Sequence, residues 1–331
     1  MQISTPLTTL LGITHPILLA PMDVVSGAGL AAAVSKAGGF GILGGGYGDA
    51  VWLERESQKL SQVLTGSALP FGVGFITWSL ARKPELLDIA LKAKPRAIML
   101  SFGDPAPFAE RIRRAGAFLI CQVQTEQMAH EALAAGADIL VAQGTEAGGH
   151  GASRTTLDIV PAIVDLAAGR VPVVAAGGIA DGRGLAASLV MGASGVLLGT
   201  RFYASVEADG PEAAKQRICA ASSGDTVRGI IFDISRNNVW PAPFTGRCLV
   251  NDHVRRWASR EVELMQNARA VAAEYAQAKA ADNFDIAAVI AGEAVGLIHD
   301  IPPAAEIVER MTREAGQILQ EQRNSFTVAR A

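Results

Sequence analysis

Long hydrophobic runs are missing from this sequence: no stretch reaches the roughly 18 consecutive apolar residues of a membrane-spanning helix, so no membrane partner is expected. Cysteine is scarce. Cys121, Cys219 and Cys248 are too few and too scattered for a disulfide framework, and no paired-thiol motif is present. An excess of charge is also lacking. The formal net charge is −3, which gives no electrostatic reason to expect nucleic acid or an anionic membrane. The start, MQISTPLTTL, has no basic segment followed by an apolar core, so no secretory signal is expected. These absences together read as a cytoplasmic protein with reduced thiols. Several chemical motifs are missing too. No G-x-G-x-x-G opens a dinucleotide unit, and Gly44-Gly45-Gly46 lacks the Lys-Ser/Thr of a phosphate loop. There is no His-Glu-x-x-His, and none of His15, His130, His253 and His299 lies at ligand spacing from His150, so no metal is expected.

What is present is a folded, enzyme-like composition. Half of the 331 residues are apolar and 18% are charged, enough for a substantial core. Short β-branched runs alternate with alanine-rich helical stretches. Strands are expected at 16–21, 40–43, 71–75, 97–101, 118–122, 139–142, 171–175 and 196–198. Helices are expected at 29–37, 105–115, 126–135, 156–168 and 182–191. The strand runs are apolar throughout rather than alternating, as in parallel sheets covered on both faces. Eight such units in about 200 residues predict a (β/α)8 TIM barrel, in which closure leaves no free sheet edge. Gly38, Gly116, Gly136 and Gly192 each stand just before a strand and read as helix stops. That phase identifies which turns lie at the C-terminal ends of the strands, where barrel enzymes place their chemistry.

Residues 1–222 are read as the barrel core, and 223–331 as an irregular excursion with additional C-terminal helices, all within one domain spanning 1–331. The excursion over 225–250 is expected to pack against the barrel or to cover its mouth. Helices are expected at 212–221, 253–278, 284–291 and 304–322, with Gly292 ending the third. Residues 324–331 are expected to fray.

Two turns carry the strongest chemical signal. Ala176-Gly177-Gly178 follows the seventh strand, and Gly199-Thr200 follows the eighth. Glycines let backbone N–H groups approach a phosphate, the helix N-termini that follow add favourable dipoles, and Thr200 adds a hydroxyl donor. The triple glycine at 44–46 is better explained by close backbone approach at the barrel mouth. After the sixth strand, Gln143-Gly144-Thr145-Glu146-Ala147-Gly148-Gly149-His150 places an imidazole on an active-side loop. His150 there suits proton transfer or hydrogen bonding to a developing anion. Glu146 is open to orienting that histidine, pairing with a helix terminus, or facing solvent. Ala20, Pro21 and Met22 end the first strand, and small residues there make room for a flat ring. Met22 and Trp78 are candidates to pack on such a ring or on a substrate, and Gln122 and Gln143 to hydrogen-bond its heteroatoms. Cys121 reads as a buried core thiol.

Together these residues resemble the nitronate monooxygenase family, formerly called 2-nitropropane dioxygenases. The resemblance covers about residues 12–205 and is carried by Pro16-Ile17 through Ala20-Pro21-Met22, Gln143 to His150, Ala176 to Gly184, and Leu198 to Phe202. It implies an FMN whose phosphate is held by Gly177, Gly178, Gly199 and Thr200, alongside Ala176. It implies further contacts from Ala20, Pro21, Met22, Gly74, Gln122, Gln143, Gly148 and Gly149, with His150 as the catalytic residue. Two positions depart from the family pattern: Gly74 stands where an asparagine is usual, and Gln122 where some relatives have lysine. The resemblance implies oxidation of alkyl nitronates with O2 to carbonyl compounds and nitrite. An NAD(P)H-dependent quinone reductase and a flavin-dependent enoyl-thioester reductase fit the same scaffold. The expected partners are a small-molecule substrate and O2, with NAD(P)H as an open third, and a monomer and a homodimer both fit.

Overall fold

The computed structural model describes residues 2–238 and 240–325. Strands β1 (Ile17–Leu19), β2 (Gly41–Gly44), β3 (Phe71–Ile76), β4 (Ala97–Ser101), β5 (Phe118–Val123) and β6 (Ile139–Gln143) appear in chain order. A short strand, β7 (Gly149–Gly151), then precedes β8 (Val173–Ala176) and β9 (Gly195–Leu198). The sheet order is β1-β9-β8-β6-β5-β4-β3-β2, with every pair parallel. A parallel bridge from Leu18 to Phe40 joins the two ends and closes the barrel. The fold is the expected (β/α)8 TIM barrel.

The uniform apolarity of the strands resolves into two layers. Leu18, Ile42, Met99, Ile120, Ile139, Val141, Val174 and Leu197 form one cluster inside the barrel. Leu7 and Leu11 of the helix Pro6–Leu11 join it and plug the end remote from the site. Their neighbours Leu19, Leu43, Val73, Leu100, Cys121, Leu140 and Ala175 pack outward on the helices. The period of two is therefore real, but both faces are dry and so both must be apolar. The four glycine stops all take the left-handed conformation, with φ of +87° at Gly38, +74° at Gly116, +85° at Gly136 and +93° at Gly192.

Beyond the barrel, β10 (Thr226–Gly229) and β11 (Thr245–Leu249) pair with each other, and β11 pairs with β7, all antiparallel. The excursion is thus anchored at the barrel mouth. Ile231, Phe232, Val254, Trp257, Leu264, Val271 and Tyr275 form a small separate core beneath it. Helix Ala304–Ser325 returns along the barrel, where the Glu314 carboxylate accepts from the Gly182 N–H at 3.0 Å. Among the described residues no helix is long and apolar enough to cross a membrane.

Two helix expectations are corrected. The stretch 253–278 is three helices, Asp252–Trp257, Glu261–Gln266 and Ala268–Ala280, broken first at Ser259, whose φ is +62°. Residues 284–291 form no helix, because their backbone groups are engaged elsewhere: Asn251 Nδ2 donates to the carbonyls of Phe284 and Ala287, and the Leu249 N–H donates to Val289 O. Gly292 is accordingly not a helix stop; it lies against the 146–148 backbone, where an added Cβ would stand 2.5 Å from Glu146 O. The helix end at Ser325 leaves the rest of the 324–331 tail outside the described residues.

Candidate active site

At the C-terminal ends of the strands lies a cavity of about 440 Å³, and every residue proposed above as cofactor-binding or catalytic except Trp78 lines it. Ala20, Pro21 and Met22 leave β1, Gly74 lies in β3, Gln122 in β5, and Gln143 ends β6. Gly148, Gly149 and His150 lie in and around β7, while Ala176–Gly178 and Gly199–Thr200 follow β8 and β9.

Close backbone approach explains the small residues. An added Cβ on Gly74 would meet Pro21 Cβ at 2.4 Å, so an asparagine has no room there. The triple glycine behaves likewise: a Cβ on Gly44 would lie 2.3 Å from Met22 O, and one on Gly46 1.8 Å from Asp23 Oδ1. Gly148 packs on the Ala291–Gly292 backbone, with 2.7 Å available to a Cβ.

The two glycine turns form a cradle of free amides. Gly177 and Gly178 have φ of +110° and +70°. The N–H groups of Gly177, Gly178, Gly199 and Thr200 donate to no described residue, while Thr200 Oγ1 accepts from Gly292 N at 2.9 Å and keeps its own proton to donate. The helix-dipole contribution after β8 needs correction. Asp181 already caps helix Gly182–Val190, accepting from the N–H groups of Arg183 and Gly184, and Glu314 accepts from Gly182. An anion at this turn is therefore served by the glycine amides rather than by that helix end. Deeper in, the half-buried Gln122 leaves its buried Nε2 without a partner, a donor suited to a ring heteroatom. Free amides after β8 and β9 and an unpaired donor on β5, lining one cavity, fit a flat cofactor bearing a phosphate. Gln143 has a different role. Its Oε1 accepts from Gln124 Nε2 at 2.8 Å and its Nε2 donates to His150 O at 3.1 Å, which fixes the histidine loop.

His150 is 7% exposed and is held by partners that the sequence did not reveal. Register pairs it with Gly246 of β11, and the same excursion supplies helix Ile231–Ser235 with Asp233. His150 Nε2 lies 3.0 Å from both Asp233 carboxylate oxygens, and the indole of Trp240 stacks on the imidazole at 3.5 Å with 5° between the planes. Arg236 donates to Asp233 Oδ1 at 2.7 Å. Burial holds the imidazole below its ordinary pKa, although Asp233 pulls the other way; Arg236 and Arg228 add to the lowering. The neutral ring with Nε2–H directed at Asp233 leaves Nδ1 a free lone pair, since no described residue bonds it.

Glu146 takes the helix-terminus role left open for it: its carboxylate accepts from the N–H of Thr156 at 2.8 Å and from the Thr156 hydroxyl at 2.8 Å. Arg228 ties the excursion to this loop through the carbonyls of Thr145, Ala147 and Gly149 and also donates to Thr245 O within the excursion, and burial lowers its pKa to about 10. Cys121 is buried and its thiol is pushed up to about 12 by burial, so it is no nucleophile. Met22 lines the cavity, whereas Trp78 lines only a neighbouring cleft. Asp233, Arg236 and Trp240 had no local signature; the expected excursion over 225–250 marked the segment but not its contact with His150.

A profile of the family described as nitronate monooxygenase matches residues 4–89 and 82–314. The nitronate monooxygenase npaC of Metarhizium robertsii is 36% identical over 335 residues, 92% of this chain and 91% of that relative. A Mycobacterium tuberculosis protein named (3aS,4S,5R,7aS)-5-hydroxy-7a-methyl-1-oxo-octahydro-1H-indene-4-carboxyl-CoA dehydrogenase is 36% identical over 228 residues, which span 69% of this chain and 63% of that protein. Among solved structures, FabK from Thermotoga maritima matches with a TM-score of 0.86 at 31% identity, covering 98% of this chain and 100% of that one.

Proposed function

The chain belongs to the nitronate monooxygenase family of flavin-dependent oxidoreductases, and we propose that it binds FMN and oxidises alkyl nitronates with O2 to carbonyl compounds and nitrite. The observation that carries this reading is the buried His150, its Nε2 3.0 Å from Asp233 and its pKa held down by burial, in a cavity that also holds a cradle of free amides.

Gly177, Gly178, Gly199 and Thr200 would hold the phosphate, and Gln122 would donate to the ring. Bound FMN supplies the electron transfer that lets O2 convert the nitronate to products. The protein's own task is the proton. A nitroalkane entering beside His150 loses its α-proton to Nδ1: the C–H bond breaks, the N–H bond forms, and the electron pair remains on the substrate as the nitronate. The imidazolium so formed is stabilised by Asp233 and donates from Nδ1 to the new anion. Trp240 keeps the ring from rotating and one face dry. A substrate arriving already as nitronate needs no base.

A second reading is an NAD(P)H-dependent reductase of a quinone or an enoyl thioester, the thioester favoured by the likeness to the Mycobacterium tuberculosis protein named as a carboxyl-CoA dehydrogenase. Anaerobic mixing of the purified protein with an alkyl nitronate, NADH or NADPH, followed by flavin absorbance, separates the two. Bleaching by the nitronate is expected. Bleaching by the nicotinamides alone would overturn the nitronate reaction and leave the cofactor site intact.

A further inference from the structure

Asp23, Tyr47, Arg236 and Lys279 line the cavity on one side, and they also line a second, open cleft of about 570 Å³. Four cationic side chains line this cleft, Arg82, Lys83, Arg236 and Lys279, against one carboxylate, Asp23. Elsewhere on the surface arginines are engaged in ion pairs, as Arg111 is with Asp88, Arg154 with Glu126 and Asp158, and Arg260 with Glu263. In the cleft Arg236 is paired with Asp233 at 2.7 Å, whereas Arg82, Lys83 and Lys279 are in no ion pair with a described residue. The exposed Arg82 makes only a cation–π contact, 4.8 Å from the centre of the Trp78 ring, which leaves its guanidinium N–H donors available. The Lys279 ammonium makes no hydrogen bond or ion pair with a described residue, although its charge acts on Asp23, and Lys83 uses one donor on Gly48 O at 2.9 Å. Four cations facing a single lining carboxylate in one concavity repel one another, and only Arg236 is offset by an ion pair, to Asp233. Such a concavity favours an anion.

We propose that this cleft is a phosphate subsite, holding the phosphate-bearing tail of a ligand whose reacting head lies beside His150. The inference rests on the reading that chemistry takes place at His150. The two spaces share a wall beside the base: Tyr47, which lines both, accepts a hydrogen bond from Trp240 Nε1 at 3.0 Å, and Trp240 stacks on His150. A ligand spanning the two spaces passes the group that holds the base. A small alkyl nitronate has nothing to place in the cleft, so the subsite implies a larger ligand as well. Two kinds of small molecule carry a pyrophosphate on such a tail, a nicotinamide dinucleotide and a coenzyme A thioester, and pyrophosphate is their shared chemistry.

The test is calorimetric titration of the flavin-loaded, full-length protein with inorganic pyrophosphate, NADH, NADPH and coenzyme A at low and high salt. Pyrophosphate and at least one nucleotide are expected to bind, more weakly as salt rises. Arg82→Glu is expected to weaken that binding roughly tenfold or more while leaving flavin content and the KM for a small neutral nitroalkane unchanged. Lys279→Gln gives an independent second reading of affinity. Tighter binding of NADPH or NADH than of coenzyme A assigns the tail to a dinucleotide, and the reverse order assigns it to a thioester. No binding of any probe at low salt, or unchanged affinity in both variants, overturns the subsite. Phosphate binding without nitronate turnover would overturn the proposed reaction and leave the subsite standing. Nitronate turnover without phosphate binding would do the opposite.

Discussion

At one end of the cavity the turns after β8 and β9 present backbone amides from Gly177, Gly178, Gly199 and Thr200; at the other, His150 depends on Asp233, 83 residues further along the chain. The glycine end is local, since each turn is built by the few residues that follow its strand. The histidine end is assembled across the fold, with β11 pairing beside β7 and the Ile231–Ser235 helix bringing its carboxylate to the ring. A site of this kind divides into a part that grips by backbone geometry and a part that reacts through side chains held from a distance. The first part suits many reactions. The second decides which one occurs.

If that division holds, variants at the two ends should fail differently. His150→Ala should have the largest effect, lowering kcat/KM for a nitroalkane by roughly 100- to 10,000-fold, the contribution of a positioned base. Flavin retained after desalting should stay at the parent level. Oxygen-consumption rates within a few-fold of the parent would remove the base role.

Asp233→Asn should come next. It keeps a hydrogen-bonding side chain but removes a charge worth about 1.5–3 kcal/mol in such a contact, or roughly 10- to 100-fold in rate. The pH profile carries the sign. Turnover of a neutral nitroalkane needs neutral His150, so activity is present at high pH and lost as pH falls through an imidazole pKa that burial holds below 6.5. Asp233 raises that pKa, so its neutralisation should move the acidic limb to still lower pH. An unmoved limb would make the carboxylate merely structural.

The smallest effect on chemistry should come from the glycine end. Gly178→Val forces a β-branched residue to φ near +70° and sets its Cβ 3.2 Å from Glu146 Cβ. Strain of about 1–2 kcal/mol should weaken FMN binding by roughly tenfold. The kcat of the flavin-loaded fraction should barely change. Fluorescence titration of released flavin measures the first and rapid-mixing turnover the second; equal FMN affinity would remove Gly178 from the cradle.

The barrel was legible because its signals are local. Gly116 and Gly136 stop helices wherever they occur, and apolar runs such as Ala97–Ser101 become strands because both faces are covered. The glycine turns followed from the same phase. Less legible was the C-terminal third. Phe284–Ala291 has a helical composition, yet tertiary hydrogen bonds from Asn251 and Leu249 claim its carbonyls. Ser259 carries no obvious break signal, yet it interrupts a helix.

The sequence by itself determined the closed barrel, the end at which its cavity lies, and the strand-end residues that line it, because strand phase and glycine placement are properties of neighbouring residues. Only the tertiary structure decided the state and direction of His150. Burial holds its pKa down, Trp240 stacks on it and Asp233 holds Nε2, and no spacing along the chain encodes a contact made by folding a distant excursion back over the barrel mouth.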